Sequence, residues 1–452
     1  VVPAKPALNE VSEAPEDRGR SSWSTRLRFG LAVLLVALLA AAFAVAFRGA
    51  LNVAYQQLAQ APNVVQAMRR APTWARIVAP ALGGLCAGFI ARITARYPAS
   101  HGVSDVMEAV VLGRVHLSMR ITLWKSLASF LAIASGGSLG REGPLIQFGG
   151  AAGKAVSQRL SLSVAETRLI IAAGTAAGFA AAYNTPIAAV LFVLEVVTGM
   201  VVLDAVLPTL IATVVASSIT RSVVGAGPIY GQRGFHLGAP SELAAFIGMA
   251  VILAIGCQIF MRLLALGERA FERIRFLPLR SAIGGALAGG LIAWLPEVAG
   301  NGYEPLNALL DENYAVSFVA LLLLGKCLAT TASVSSGSPG GVFTPTLLVG
   351  GCLGFLYAMG LSALGITIGS PGGYALIGMA AATAATTHAP LMAAVMVFEL
   401  SGDYAVVLPL VLVTALSTLV SRALRRDSIY GAELRRRGIR WEITMEGRRL
   451  LE

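Results

Sequence analysis

Hydrophobic positions in this chain come in long runs. From about residue 27 to 421, apolar stretches alternate with short polar joints. Residues 29–47 carry no charge and are flanked by Arg28 and Arg48. That is the framing of a helix that crosses a bilayer, which needs about 20 apolar residues. A cleaved signal peptide also places basic residues before an apolar run, but this run is too long for one and no soluble secreted domain follows. Later stretches are short for a span: 102–112, 142–158, 186–198 and 390–402. Their lengths predict re-entrant or tilted helices that stop part-way through the membrane. Residues 1–25 are polar, hold Pro3, Pro6 and Pro15, and show no apolar period, which predicts a disordered tail. Residues 441–452 are read as a second tail.

The two halves of the chain echo each other. Lys125 in ITLWKSLASF and Lys326 in LLLLGKCLAT stand 201 positions apart. The glycine-rich turns GSLGREGPLIQFGG at 137–150 and GSPGGVFTPTLLVG at 337–350 are offset by 200. Pro186 and Glu195, in NTPIAAVLFVLE, match Pro390 and Glu399, in HAPLMAAVMVFE, each at an offset of 204. Four matches in one order predict two copies, about residues 70–220 and 275–421, inverted with respect to each other. GxxxG spacings at Gly84/Gly88, Gly149/Gly153, Gly174/Gly178 and Gly285/Gly289 read as small faces on which helix backbones approach closely. The expected fold class is an all-α polytopic membrane protein with two inverted structural repeats of tilted and broken helices.

Composition agrees with lipid as the solvent. The 452 residues are 56% hydrophobic and 13% charged, with a mean hydropathy of +0.73, against about 25% charged in a soluble domain. The formal charge of +11 gathers at the ends of spans. Arg18, Arg20, Arg26 and Arg28 precede the first, residues 262–280 form a basic middle loop, and Arg422, Arg425, Arg426, Arg435, Arg436, Arg437 and Arg440 follow the last. By the positive-inside rule all three belong in the cytoplasm, so both termini are placed there. Topology explains these clusters better than nucleic-acid binding does. Cys86, Cys257, Cys327 and Cys352 are scattered singly, with no spacing that suggests zinc or a disulfide framework.

The chemistry sits in the glycine-rich turns. Arg141 and Glu142 place charge inside an apolar region, where it marks a functional site. Irregular backbone survives in lipid only where protein buries it or it lines a watery cavity. Turns at 100–102, 137–143 and 337–341 each precede an apolar helix. Helix N-termini carry free N–H groups and about half a positive charge, so convergent ends attract a small anion. A cation transporter should show acid in both broken helices, but Val342 stands where the first copy has Glu142. GGAAGKA at 149–155 lacks the spacing of a phosphate loop, and the four histidines form no HExxH. A membrane-embedded enzyme using Glu142 and His101 would need a nucleophile or metal beside them, and the sequence offers none. No enzymatic activity, catalytic residue, metal or cofactor is therefore expected.

With those residues in view, the chain resembles the CLC family of chloride channels and proton-coupled chloride exchangers. GREGP at 140–144 and GxFxP at 341–345 are signature segments of that family, and AAGFAAAYNTPIAAVLFVLE at 176–195 and the tyrosine of SIYGAEL at 428–434 follow in its order. The resemblance covers roughly residues 27–440. It is to the short form of the family, since 22 residues follow Tyr430, too few for the CBS domains many relatives carry. It implies a CLC-type transmembrane domain over residues 26–440 and transport of chloride or a similar small anion. It also implies a gate at Glu142, whose carboxylate occupies an anion site when ionised and swings away when protonated. The N–H groups of Gly143, Val342 and Phe343 would line the anion path, and the Tyr430 hydroxyl would donate to the central anion. A homodimer in the plasma (inner) membrane of a prokaryote is the implied setting.

Two departures stand out. The family's first anion-binding segment is typically GSGIP; here residues 100–104 read SHGVS, which puts His101 at the serine position. Imidazole donates an N–H and titrates near neutrality, so the preference among chloride, nitrate and fluoride is open. Family exchangers often carry two adjacent glutamates after NxPxAxxLF, the second an inner proton acceptor. This chain has Glu195 followed by Val196. Glu195 is thus either part of a proton route or a packing carboxylate, and both proton-coupled exchange and passive conduction stay open.

Overall fold

The computed structural model describes residues 23–94, 102–112, 117–200, 202–225, 227, 229–231, 233–235, 242–439, 441–444 and 447–450. The expected tail before Trp23 and the position of His101 lie outside the described residues. The first half contains α1 (Trp23–Ala59), α2 (Val64–Arg70), α3 (Thr73–Thr94), α4 (Val103–Leu112), α5 (Met119–Ala134), α6 (Glu142–Arg159) and α7 (Val164–Tyr183). Then come α8 (Pro186–Leu191), which continues as a π-helical turn over Phe192–Thr198, and α9 (Leu203–Val224). The second half contains α10 (Glu242–Glu272), α11 (Leu277–Trp294), α12 (Tyr303–Leu310), α13 (Val316–Ser335), α14 (Phe343–Ala363), α15 (Pro371–Thr387), α16 (Pro390–Ser401), α17 (Val407–Leu424) and α18 (Ile429–Arg436), with α11–α17 repeating the series α3–α9.

Among the described residues, nine helical segments are long and apolar enough to cross a membrane. The stretches that the sequence marks as short become α4, α6, α8 with its π-helical turn, and α16. Two boundaries differ from the sequence reading. The first helix starts at Trp23, inside the segment assigned to the tail. In the C-terminal segment, Trp441–Thr444 and Gly447–Leu450 pair as an antiparallel hairpin, which the apolar–polar alternation of WEIT favours.

The same local grammar is written twice. Asn184 ends α7 and His388 ends α15, both in the left-handed conformation, at φ 57° and 60°. A proline two residues later opens α8 and α16, where its fixed φ suits a first helical turn. Small residues then set how closely helices approach. A Cβ on Gly149 would lie 1.9 Å from the carbonyl of Gly174, and one on Gly178 2.4 Å from that of Leu145, so α6 and α7 touch backbone to backbone. Gly350 and Gly378 repeat that contact between α14 and α15, each 2.4 Å from the other's carbonyl. The two copies meet where α3 packs on α11, Gly84 against Ser281 and Gly285 against Pro80.

The copies also meet at their broken turns. Gly140 donates to the Gly341 carbonyl at 2.7 Å and Gly341 donates back to Gly140 at 2.8 Å, an antiparallel bridge. A reciprocal bridge between corresponding turns is what two inverted copies produce where they meet.

Gly149→Leu should therefore drive side chain into backbone, which cannot yield as a flexible neighbour would. We expect a loss of about 1–3 kcal/mol, read as a lower thermal midpoint of the detergent-solubilised protein. Gly290→Ala, where a Cβ meets nothing within 4 Å, should leave that midpoint unchanged.

Candidate functional site

Glu142 is the first residue of α6 and is 1% exposed. Its carboxylate crosses the bridge to the sister helix α14. Oε1 accepts from the Phe343 N–H at 2.8 Å and more distantly from that of Thr344 at 3.4 Å, while Oε2 accepts from the Thr344 hydroxyl at 3.0 Å. A buried anion on the free N–H groups of a helix start is a stable arrangement, since charge, dipole and donors agree. Gly140 and Gly341 must be glycines for this to happen. A Cβ on either would lie 2.2 or 1.9 Å from the Glu142 carboxylate.

Thr344 and Tyr183 extend the cluster. The Tyr183 hydroxyl lies 2.8 Å from the Thr344 hydroxyl. Because the Thr344 proton goes to Glu142, Tyr183 is the donor of that pair. Sequence reasoning passed over both residues. The signal available was position: Thr344 follows Phe343 in GVFTP and is second in α14, where a side chain reaches the helix start.

A cavity of about 310 Å³ opens beside this carboxylate. Gly102 and Val103 at the start of α4, Glu142 and Gly143 at the start of α6, and Val342 at the start of α14 all line it, with Tyr430 from α18. Three helix N-termini thus converge on one space. Tyr430 is 8% exposed, and its hydroxyl has no hydrogen-bond partner among the described residues. Of the residues singled out from sequence, Glu142, Gly143, Val342 and Tyr430 come together here. Phe343 contributes its N–H, which Glu142 occupies.

Glu195 is not brought to this cavity. It sits in the π-helical turn after α8, where it accepts from the N–H groups of Leu391 and Met392 at 3.2 and 2.7 Å. Glu399 does the same in the other copy, accepting from Ile187 and Ala188 at 3.1 and 2.8 Å. Each carboxylate caps the start of the other copy's helix. The two caps are reciprocal, whereas the Glu142 cap has no counterpart because Val342 carries no carboxylate.

The helix that carries Tyr430 is tied down by charges that the sequence reading did not connect. Asp105 of α4 is fully buried and accepts from Lys125 of α5 at 3.2 Å, Gln147 of α6 at 3.1 Å and Arg437 at 3.1 Å, just beyond α18. Arg437 also meets Glu108 and Glu433. Ser104, standing where the family has proline, donates its hydroxyl to Glu433 at 2.8 Å. These groups lie far apart in sequence, and only helix packing reveals their pairing.

Comparison with known proteins adds the following. The family model described as "Voltage gated chloride channel" matches residues 83–422. A protein of Ralstonia nicotianae described as chloride channel protein ClcB-like is 38% identical over 400 residues, 87% of this chain and 93% of that protein. The voltage-gated ClC-type chloride channel ClcB of Citrobacter koseri is 34% identical over 383 residues, 81% of this chain and 89% of that one. The crystal structure of a slow cyanobacterial Cl−/H+ antiporter superposes with a TM-score of 0.81 at 24% identity, covering 91% of this chain and 98% of the other. That likeness is one of fold.

Asp105→Ala should leave Lys125 buried and deprived of its carboxylate. Breaking one side of a buried pair costs about 3–5 kcal/mol, so the thermal midpoint in detergent should fall well below wild type. Lys125→Met combined with Asp105→Leu should recover part of that loss, because both charges of this pair are then removed together.

Proposed function

The chain belongs to the voltage gated chloride channel family, whose members move anions across membranes, and on that premise we propose that Glu142 is the gate of its anion path. One observation carries the reading: the Glu142 carboxylate occupies the N-terminal donors of α14 at the edge of the cavity lined by Gly143, Val342 and Tyr430. A carboxylate and a chloride ion need the same donors, so only one of them holds the site at a time. Protonation removes the charge that makes the carboxylate a good tenant. The side chain then leaves, and the Phe343 and Thr344 N–H groups pass to the anion. Falling pH therefore favours the open path.

Protons that open the path can also be carried along it, and we take chloride/proton exchange as the leading mechanism. Passive anion conduction is the second reading, favoured by two observations. Val196 puts a buried apolar side chain at the family's usual inner acid, and Glu195 is engaged as a helix cap. We assign Glu195 that capping role. Chloride is the proposed substrate, with nitrate and fluoride as the alternatives that His101 leaves open. The setting we propose is a homodimer in a prokaryotic plasma membrane with both termini cytoplasmic. Exposed apolar side chains on α8, α9, α16 and α17, among them Ile187, Leu207, Leu391 and Leu408, give lipid or a second copy a surface to cover.

Glu142→Gln should abolish the pH response of anion flux and any coupled proton movement, measured together in liposomes holding purified protein. A mutant that keeps both would remove Glu142 from the gate. A wild type that moves chloride without moving protons would select the channel reading. Tyr430→Phe should weaken anion binding by roughly 1.5–3 kcal/mol, the worth of one hydrogen bond to a charged partner. Calorimetric affinity equal to wild type would show that the hydroxyl does not touch the anion.

A further inference from the structure

Arg141 is next in the chain to Glu142 but does not line the same cavity. It lines a second one, of about 290 Å³, with Arg48, Asn301, Tyr303 and Glu304. A third, of about 250 Å³, shares Arg48 and Tyr303 with it and extends towards Asn184 and Gly227. The donors around these spaces divide into those in use and those not. Lys326 donates to the carbonyls of Val298 and Gly300 at 3.1 and 2.7 Å, and the Tyr55 hydroxyl to that of Ile133 at 3.3 Å. Arg48 and Arg141 have no hydrogen bond or ion pair among the described residues, unlike Arg69, Arg233, Arg435, Arg436 and Arg437, each of which meets a carboxylate.

Both guanidiniums are half-buried. The Arg141 guanidinium lies 5.9 Å from the centre of the Tyr303 ring, which is stacked on Tyr230 at 4.9 Å. The hydroxyls of Tyr230 and Tyr303 are buried and unpartnered, as is Oε2 of Glu304. Two cations and the Tyr303 hydroxyl, without acceptors among the described residues, thus surround one space, opposed by one carboxylate. Buried polar groups are nearly always satisfied, and orphans gathered at a cavity point to an absent partner. A partner that accepts from every donor and bears negative charge is an anion.

We propose that Arg48, Arg141 and Tyr303 form an anion-binding site for a halide at the mouth of the path opposite Tyr430, and that Glu304 sets its affinity by repulsion. The site gathers anions before they reach Glu142, since like charges lining a cleft raise the local concentration of their counter-ion. This rests on anion transport by the family and not on the gating role of Glu142.

Bromide is the probe. Anomalous diffraction from crystals grown in bromide should place a peak between Arg48 and Arg141. Arg48→Gln should remove that peak and raise half-saturating chloride for flux by about tenfold, with maximal flux held within about twofold. Arg48→Lys should restore most of the affinity, and Glu304→Gln should shift half-saturation in the opposite direction, to lower chloride. A peak that survives Arg48→Gln would be an adventitious ion only and would overturn the proposal, as would unchanged half-saturation in that variant. If Arg48→Gln does not fold, Glu304→Gln decides: half-saturation that stays equal or rises overturns the site. A wild type with the bromide peak but no anion flux would leave the site standing and remove the family-level transport reading instead.

Discussion

Gly140 and Gly341 donate a backbone hydrogen bond to each other, at 2.7 and 2.8 Å, and the two copies of the fold are hinged on that exchange. Both residues lie in turns that interrupt apolar helices. Backbone polar groups cannot be left bare in such surroundings, because lipid offers them no partner. The bridge satisfies four groups at once and leaves the next residues free to start α6 and α14 facing one cavity. Side chains are excluded from the bridge itself, so the Glu142 carboxylate can lie directly against it. Closure of the bridge and placement of the carboxylate are one constraint.

Symmetry and its breach divide the labour in this molecule. Glu195 and Glu399 cap each other's helices in a reciprocal pair, and Gly149 with Gly174 repeats as Gly350 with Gly378. Features present in both copies hold the scaffold. Glu142 is present in one copy alone. It takes the donors of α14, while Val342 returns nothing to α6, so the Gly143 side of the cavity keeps its positive helix end. On the gating reading proposed above, a space with donors on one side and a removable carboxylate on the other binds an anion in two states, which a symmetric pair of caps could not do.

The distribution of paired and unpaired charge follows the same division. Around Tyr430, Asp105, Lys125, Glu433 and Arg437 are joined through several hydrogen bonds, which fixes α18 against α4. Across the bridge, Arg48 and Arg141 are left without carboxylate partners among the described residues. Satisfied networks rigidify a fold, and the unpaired guanidiniums are where the second anion site is proposed.

Much of this was written in the sequence. Run length and charge framing determined that the chain crosses a membrane, since burial in lipid demands uninterrupted apolar segments. The 200-residue echo determined two copies, and GREGP with GVFTP located the broken helices and Glu142. These signals are local: each depends on residues adjacent in the chain. Tertiary structure decided what depends on partners hundreds of positions away. It turned Glu142 towards Thr344 and Tyr183, made Glu195 a cap on α16, and joined Ser104 to Glu433. It also began the first helix at Trp23 and paired the C-terminal strands. A carboxylate in a sequence has no stated direction, because its partner is chosen by which helix ends the packing brings within hydrogen-bond reach.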